Sequence, residues 1–158
     1  MDRAVISMKD FAENTIRVRY SETDQMGVAY YGNYFTWFEV GRVELCRALG
    51  FEYKQMEIED DTFIVVVEAN CRYKRPARFD DVLVVRTRVA GSNRRTVRFG
   101  YEILNPSGET IATGETAHVI CDRQGRPRSL PEKYRKYFPN STPANADSNA
   151  DPLREGLQ

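Results

Sequence analysis

The chain predicts an α+β domain in which one long apolar helix is wrapped by a five-stranded antiparallel sheet. Two observations carry that expectation. One stretch, 34–49, has helical character and is apolar on more than one side. Five others carry the apolar alternation or β-branched richness of strands, with short polar links between most of them. A helix that apolar needs enclosure, and a sheet face is what a single domain offers.

Residues 16–22, IRVRYSE, alternate Ile16, Val18 and Tyr20 against Arg17, Arg19 and Ser21, so they read as the first strand. A loop with two glycines, DQMGVAYYGN, follows. The helix then runs YFTWFEVGRVELCRAL, with Asn33 as the expected N-cap and Gly50 as the expected left-handed cap. Gly41 sits mid-helix at a propensity cost of ~1 kcal/mol, which implies that a backbone packs closely against it. A polar connector leads to residues 63–75, with Phe63, Val65, Val67, Ala69, Cys71 and Tyr73 assigned to one face. Residues 82–90, 96–104 and 109–122 complete an expected antiparallel meander across the turns GSNRR and NPSG. Residues 131–138 suit a short terminal helix. From Pro139 the composition turns to Asn, Pro, Ala, Asp and Ser, so 139–158 reads as a disordered tail. Residues 1–14 read as an N-terminal extension, which leaves 15–138 as the domain.

Composition excludes several functions. Net charge is zero over 158 residues, so no cationic field is available for general nucleic-acid binding. The stretch RRTVRF interleaves basic and aromatic residues but does not change that balance. The three cysteines, Cys46, Cys71 and Cys121, are widely spaced and form no metal knuckle or disulfide framework. The N-terminus lacks an apolar signal segment, and the apolar run around Ile64–Val67 is too short to span a bilayer. A reducing cytoplasm is the expected location. The one histidine, His118, has no GxSxG elbow beside it and no metal-ligating companions, and it reads as a residue packed or solvated on a sheet. No metal or cofactor is expected.

The segment YSETDQMGVAYYGNY (20–34) is different. An acidic residue, Asp24, leads a glycine-bearing loop that opens directly into the apolar helix. Free N–H groups at a helix start stabilise anions. A carboxylate beside them can attack an activated acyl carbon or activate water. Asp24 also suits a plain Asx-turn, and composition alone does not separate the two.

The run RVRYSETDQMGVAYYGNYFTWFEVGRVELCRALG resembles the signature of hotdog-fold acyl-CoA thioesterases, of the 4-hydroxybenzoyl-CoA thioesterase type and the Tol-Pal-associated group. The likeness rests on Asp24, Gly27, Val28, Tyr30, Asn33 and Tyr34. YKRPARFDDVLVVRTRV and GETIATGETAHVICD resemble later parts of the same pattern. In the Tol-Pal-associated group the position of Tyr31 is usually histidine, and this chain departs from it.

The resemblance implies an acyl-CoA thioester hydrolase with Asp24 as nucleophile or general base. The Tyr31 backbone N–H would polarise the thioester carbonyl. It further implies substrate contacts at Tyr30, Gly32, Trp37 and Glu39, and a coenzyme A nucleotide held by Asn93, Arg94 and Arg95. Tyr30 and Trp37 first suit an aromatic core face, Glu39 better suits an interface ion pair with Arg42 or another chain, and the 93–95 turn equally suits solvated arginines. Homodimers pairing sheet edge to edge, or dimers of dimers, are implied, with active sites at the interface. An acyl-carrier-protein thioesterase and a non-catalytic acyl-CoA binding module are the alternatives.

Overall fold

A computed structural model describes residues 11–141. Residues 1–10 and the stretch beyond Ser141 lie outside the described residues, and with them most of the expected extension and tail. The elements are β1 (Ala12–Arg17), a 3-10 turn (Tyr20–Glu22), α1 (Asn33–Leu49), α2 (Tyr53–Asp60), β2 (Phe63–Tyr73), β3 (Val82–Ser92), β4 (Thr96–Leu104), β5 (Thr110–Cys121) and α3 (Glu132–Arg135). The five strands form one antiparallel sheet in the order β1-β3-β4-β5-β2. The α+β class and the long central helix are as expected.

Helix α1 crosses the sheet with its core face down. Phe38 stacks on Tyr101 of β4 at 4.2 Å between ring centres, with 10° between planes. Leu45 and Cys46 are buried a turn or two further on. Gly41 explains itself: a Cβ there would overlap Thr87 Oγ1 and come within 2.9 Å of Val85 Cγ1, both on β3. The helix lies so low on the sheet that only glycine fits. Gly41→Ala gains helix propensity of ~1 kcal/mol but must push two packed β-branched side chains aside. We expect a net loss of about 1–3 kcal/mol, read as a lower thermal midpoint by circular dichroism. Gly50 ends α1 at φ +117°, donating to the Cys46 and Arg47 carbonyls, which is the expected left-handed cap.

Several sequence expectations need correction. β1 begins at Ala12 and ends at Arg17, so the sheet starts inside the stretch read as an extension. Tyr20 belongs to the 3-10 turn and is 78% exposed, not on a strand face with Val18. Asn33 does not cap α1. It is the first helical residue, and its side-chain N–H donates to the Glu22 carbonyl at 2.8 Å. The polar connector contains α2, whose buried apolar anchor is Met56, so no apolar stripe announced it.

The meander expectation holds for β3-β4-β5 alone. β2 lies at the far edge against β5, and the 74–81 link carries the chain from there to the inner edge of the β1–β3 pair. A bulge between Val66 and Glu68 shifts the β2 register. Phe63 and Val65 therefore share a face, while Ala69, Cys71 and Tyr73 pair with residues of the opposite face. The outer edge of β2 leaves Val65, Val66 and Val67 exposed at 44%, 44% and 61%. The helix-free face carries ion pairs between strands: Glu13–Arg86–Glu102 links β1, β3 and β4, and Arg98 of β4 pairs with Glu115 of β5 and reaches past it to Glu68 of β2.

The end of the described chain is also tied down. Ser141 N–H donates to the Ser92 carbonyl at 2.9 Å, and Ser92 Oγ donates to the Pro139 carbonyl at 2.7 Å. Residues 139–141, read as the start of a tail, thus pack on the end of β3. Among the described residues no helix is long and apolar enough to cross a membrane.

Candidate active site

The β1–α1 loop is built around Glu22, which sequence reasoning did not single out. It is 6% exposed. One carboxylate oxygen accepts from the Arg19 backbone N–H at 2.8 Å, and the other from the Trp37 indole N–H at 2.9 Å. The Arg19 side chain pairs with it at 3.3 Å. Burial alone would raise the Glu22 carboxyl, but the bonds from Arg19 and Trp37 outweigh it and hold the group below its usual range. The Glu22 carbonyl accepts from Tyr30 N–H and from Asn33 Nδ2, both at 2.8 Å. Glu22 thereby closes the loop at its far end and fastens it to the first turns of α1.

Asp24 leads the tight turn inside that frame. Its N–H donates to the Val28 carbonyl at 2.9 Å, and its carbonyl accepts from Gly27 N–H at 3.0 Å. Gly27 supplies φ +75° at the tip. Asp24 Oδ1 accepts from Met26 N–H at 2.8 Å, so the Asx-turn is real. The side chain is nevertheless exposed, and among the described residues its second oxygen, Oδ2, has no partner.

Across from it the chain enters α1. Among the described residues the N–H groups of Tyr31 and Gly32 have no acceptor. The Tyr31 carbonyl is held by the Tyr73 hydroxyl of β2 at 3.0 Å, which fixes the peptide at the helix start. Burial raises the phenols of Tyr73 and Tyr34, so both remain protonated donors at neutral pH. Asp24, Tyr31, Tyr34, Tyr73 and Lys74 line one open cleft of about 370 Å³. Asp24, with one carboxylate oxygen unspent, and Tyr31, with its N–H unspent, thus border the same cleft.

The other expected contacts are distributed differently. Tyr30 is 48% exposed and packs against Tyr31 at 4.6 Å between ring centres. Gly32 sits under the Tyr30 ring, which a Cβ would meet at 2.9 Å. Trp37 is 3% exposed and spends its N–H on Glu22, so it supports the loop from beneath. Glu39 is exposed on α1 and makes no ion pair among the described residues; Arg42 donates instead to the Tyr101 hydroxyl at 3.2 Å. Asn93, Arg94 and Arg95 form the β3–β4 turn, where Asn93 Oδ1 accepts from the N–H groups of Arg95 and Thr96. That turn lies at the opposite end of β3 from Arg17 and the Asp24 loop. Along a strand at ~3.3 Å per residue, the separation is roughly 30 Å.

Residues 18–141 match the thioesterase-like superfamily, and the chain belongs to that family. It is therefore an enzyme of the thioesterase class, with the hotdog fold. YneP of Bacillus subtilis (strain 168) is 38% identical over 129 residues, covering 82% of this chain and 91% of that protein. The acyl-CoA thioester hydrolase YbgC of Escherichia coli O6:H1 is 30% identical over 118 residues, covering 74% and 87%. Among solved structures, the DHNA-CoA thioesterase of Staphylococcus aureus superposes with a TM-score of 0.74 at 35% identity, covering 82% of this chain and 84% of that one.

Proposed function

We propose that the protein hydrolyses acyl-CoA thioesters, with Asp24 as the reacting carboxylate and the Tyr31 backbone N–H as the oxyanion donor. The observation that carries this reading is the cleft shared by Asp24, which keeps a carboxylate oxygen unspent, and Tyr31, which keeps its N–H unspent. The thioester carbonyl oxygen accepts from Tyr31 N–H as negative charge develops on it. Asp24 Oδ2 either attacks the carbonyl carbon, expelling the thiolate and leaving a mixed anhydride that water then cleaves, or removes a proton from the attacking water. A single turnover in isotope-labelled water separates the two: label in Asp24 marks the anhydride. The test of the reading itself is thiol release from a panel of acyl-CoA thioesters, and turnover of none of them refutes it.

The Tyr31 side chain has no part in this scheme, because the donor is main chain. Tyr31→Phe should leave kcat/KM within about threefold, less than 1 kcal/mol of transition-state stabilisation, in the same thiol-release assay.

The acting unit is a homodimer, singly or as a dimer of dimers. The outer edge of β2, where Val65–Val67 are exposed, supports pairing with a second copy. Antiparallel pairing of β2 with its copy sets the Phe63 end of one chain beside the Tyr73 end of the other. The partner's β3–β4 turn then approaches the cleft that its own chain cannot reach. Three unpaired cysteines fit a reducing cytoplasm.

A further inference from the structure

We propose that Tyr73, the last residue of β2, is the positioning residue of the oxyanion donor: its hydroxyl holds the Tyr31 carbonyl and so keeps the Tyr31 N–H aimed at the thioester. The proposal rests on the hydrolase reading above and adds a residue to its site.

The helix entry by itself holds this N–H loosely. The N–H groups of Asn33, Tyr34 and Phe35 reach the Tyr30, Tyr31 and Gly32 carbonyls at 3.0, 3.3 and 3.3 Å. Each bond runs to the third residue back, the poorly aligned kind of a 3-10 turn, and the one on the Tyr31 carbonyl is among the two longest. Among the described residues the Tyr31 N–H has no acceptor, so residue 31 is not held from that side.

Two contacts from outside the helix bracket it. Upstream, Tyr30 N–H donates to the Glu22 carbonyl at 2.8 Å. Downstream, the Tyr73 hydroxyl donates to the Tyr31 carbonyl at 3.0 Å, a shorter bond than the one from Tyr34. The Tyr73 ring stands edge-on to Tyr34 at 4.9 Å and 89°, and edge-on to Tyr31 at 6.2 Å and 84°. Its backbone is paired with Ala112 of β5. The hydroxyl therefore ties residue 31 to the sheet, a stiffer support than the exposed loop. Without it the donor stays present but is free to swing. Misplacing a reacting group by ~1 Å costs on the order of a hundredfold in rate, and losing an oxyanion donor outright costs about 100–1,000-fold.

Tyr73→Phe keeps the ring and removes only the hydroxyl. In the thiol-release assay its kcat should fall by about tenfold or more, with KM within about twofold, because the lost bond is to main chain and not to substrate. The direct readout is infrared. The panel thioester with the highest turnover, labelled with 13C at its carbonyl, is bound to Asp24→Asn and to Asp24→Asn/Tyr73→Phe. A hydrogen bond to the carbonyl oxygen lowers its stretching frequency. The single variant should therefore show the band below its position in buffer, and the double variant should show it broadened and moved back toward that position. A band equally lowered in both variants, a smaller loss of kcat, or a loss confined to KM would overturn the proposal. A band that Asp24→Asn does not lower would remove the oxyanion donor itself, and the proposal with it. Failure of the hydrolase reading is thus seen in the single variant, and failure of the Tyr73 role only in the double.

Discussion

Asp24→Asn is expected to lower kcat/KM for acyl-CoA hydrolysis by at least two orders of magnitude, about 3 kcal/mol of transition-state stabilisation. The substitution is unusually clean at this position. Asn keeps a side-chain carbonyl oxygen where Asp24 Oδ1 accepts from Met26 N–H, so the Asx-turn survives. The side chain is exposed, so no packing is lost. What disappears is the charged, unpartnered oxygen that the scheme requires as nucleophile or base. Thermal midpoints of wild type and variant should therefore agree while thiol release collapses. If thiol release instead matches the wild type, Asp24 is a turn residue only, and the cleft works by other groups or not at all.

The placement of Asp24 was legible because everything that defines it is local. The turn, Gly27 and the helix start lie within ten residues, and the helix announced itself by an apolar run with Gly50 after it. The supports of the site were not legible. Glu22 meets Trp37 across 15 positions, and Tyr73 meets Tyr31 across 42, and no periodicity links residues so far apart. The same limit explains the fold errors. Strand β2 was recognisable from its β-branched run, but its place beside β5 is a long-range pairing choice, and its bulge reversed the face assigned to half of it. The elements came from local patterns; their neighbours came from tertiary packing.

His118 is where that packing has its largest expected thermodynamic consequence. Its sequence left it packed or solvated on a sheet, and it is fully buried on β5. It ends a polar chain through the core: Arg42 donates to the Tyr101 hydroxyl at 3.2 Å, Tyr101 and Thr116 hydroxyls meet at 2.6 Å, and Thr116 Oγ1 meets His118 Nε2 at 2.7 Å. Arg42 has only donors, so the Tyr101 hydroxyl accepts from it. A second proton on His118 would place a charge on a ring that is fully buried. Burial, and then the Arg42 charge, push the imidazole down from 6.5 to about 4, and the Ile64 backbone offsets this only in part. Between those two values the unfolded chain binds a proton that the folded chain refuses. Stability is therefore whole above pH 6.5, falls as pH drops toward 4, and loses nothing more to this group below that. The loss approaches about 3 kcal/mol over the window. Urea unfolding at pH 7 and pH 4.5 checks it against His118→Leu. The variant is less stable at both pH values because Thr116 loses its buried partner, so the comparison is of slopes. The wild type should lose about 2–3 kcal/mol more than the variant between the two conditions. Equal losses would mean that His118 takes up its proton in the folded state.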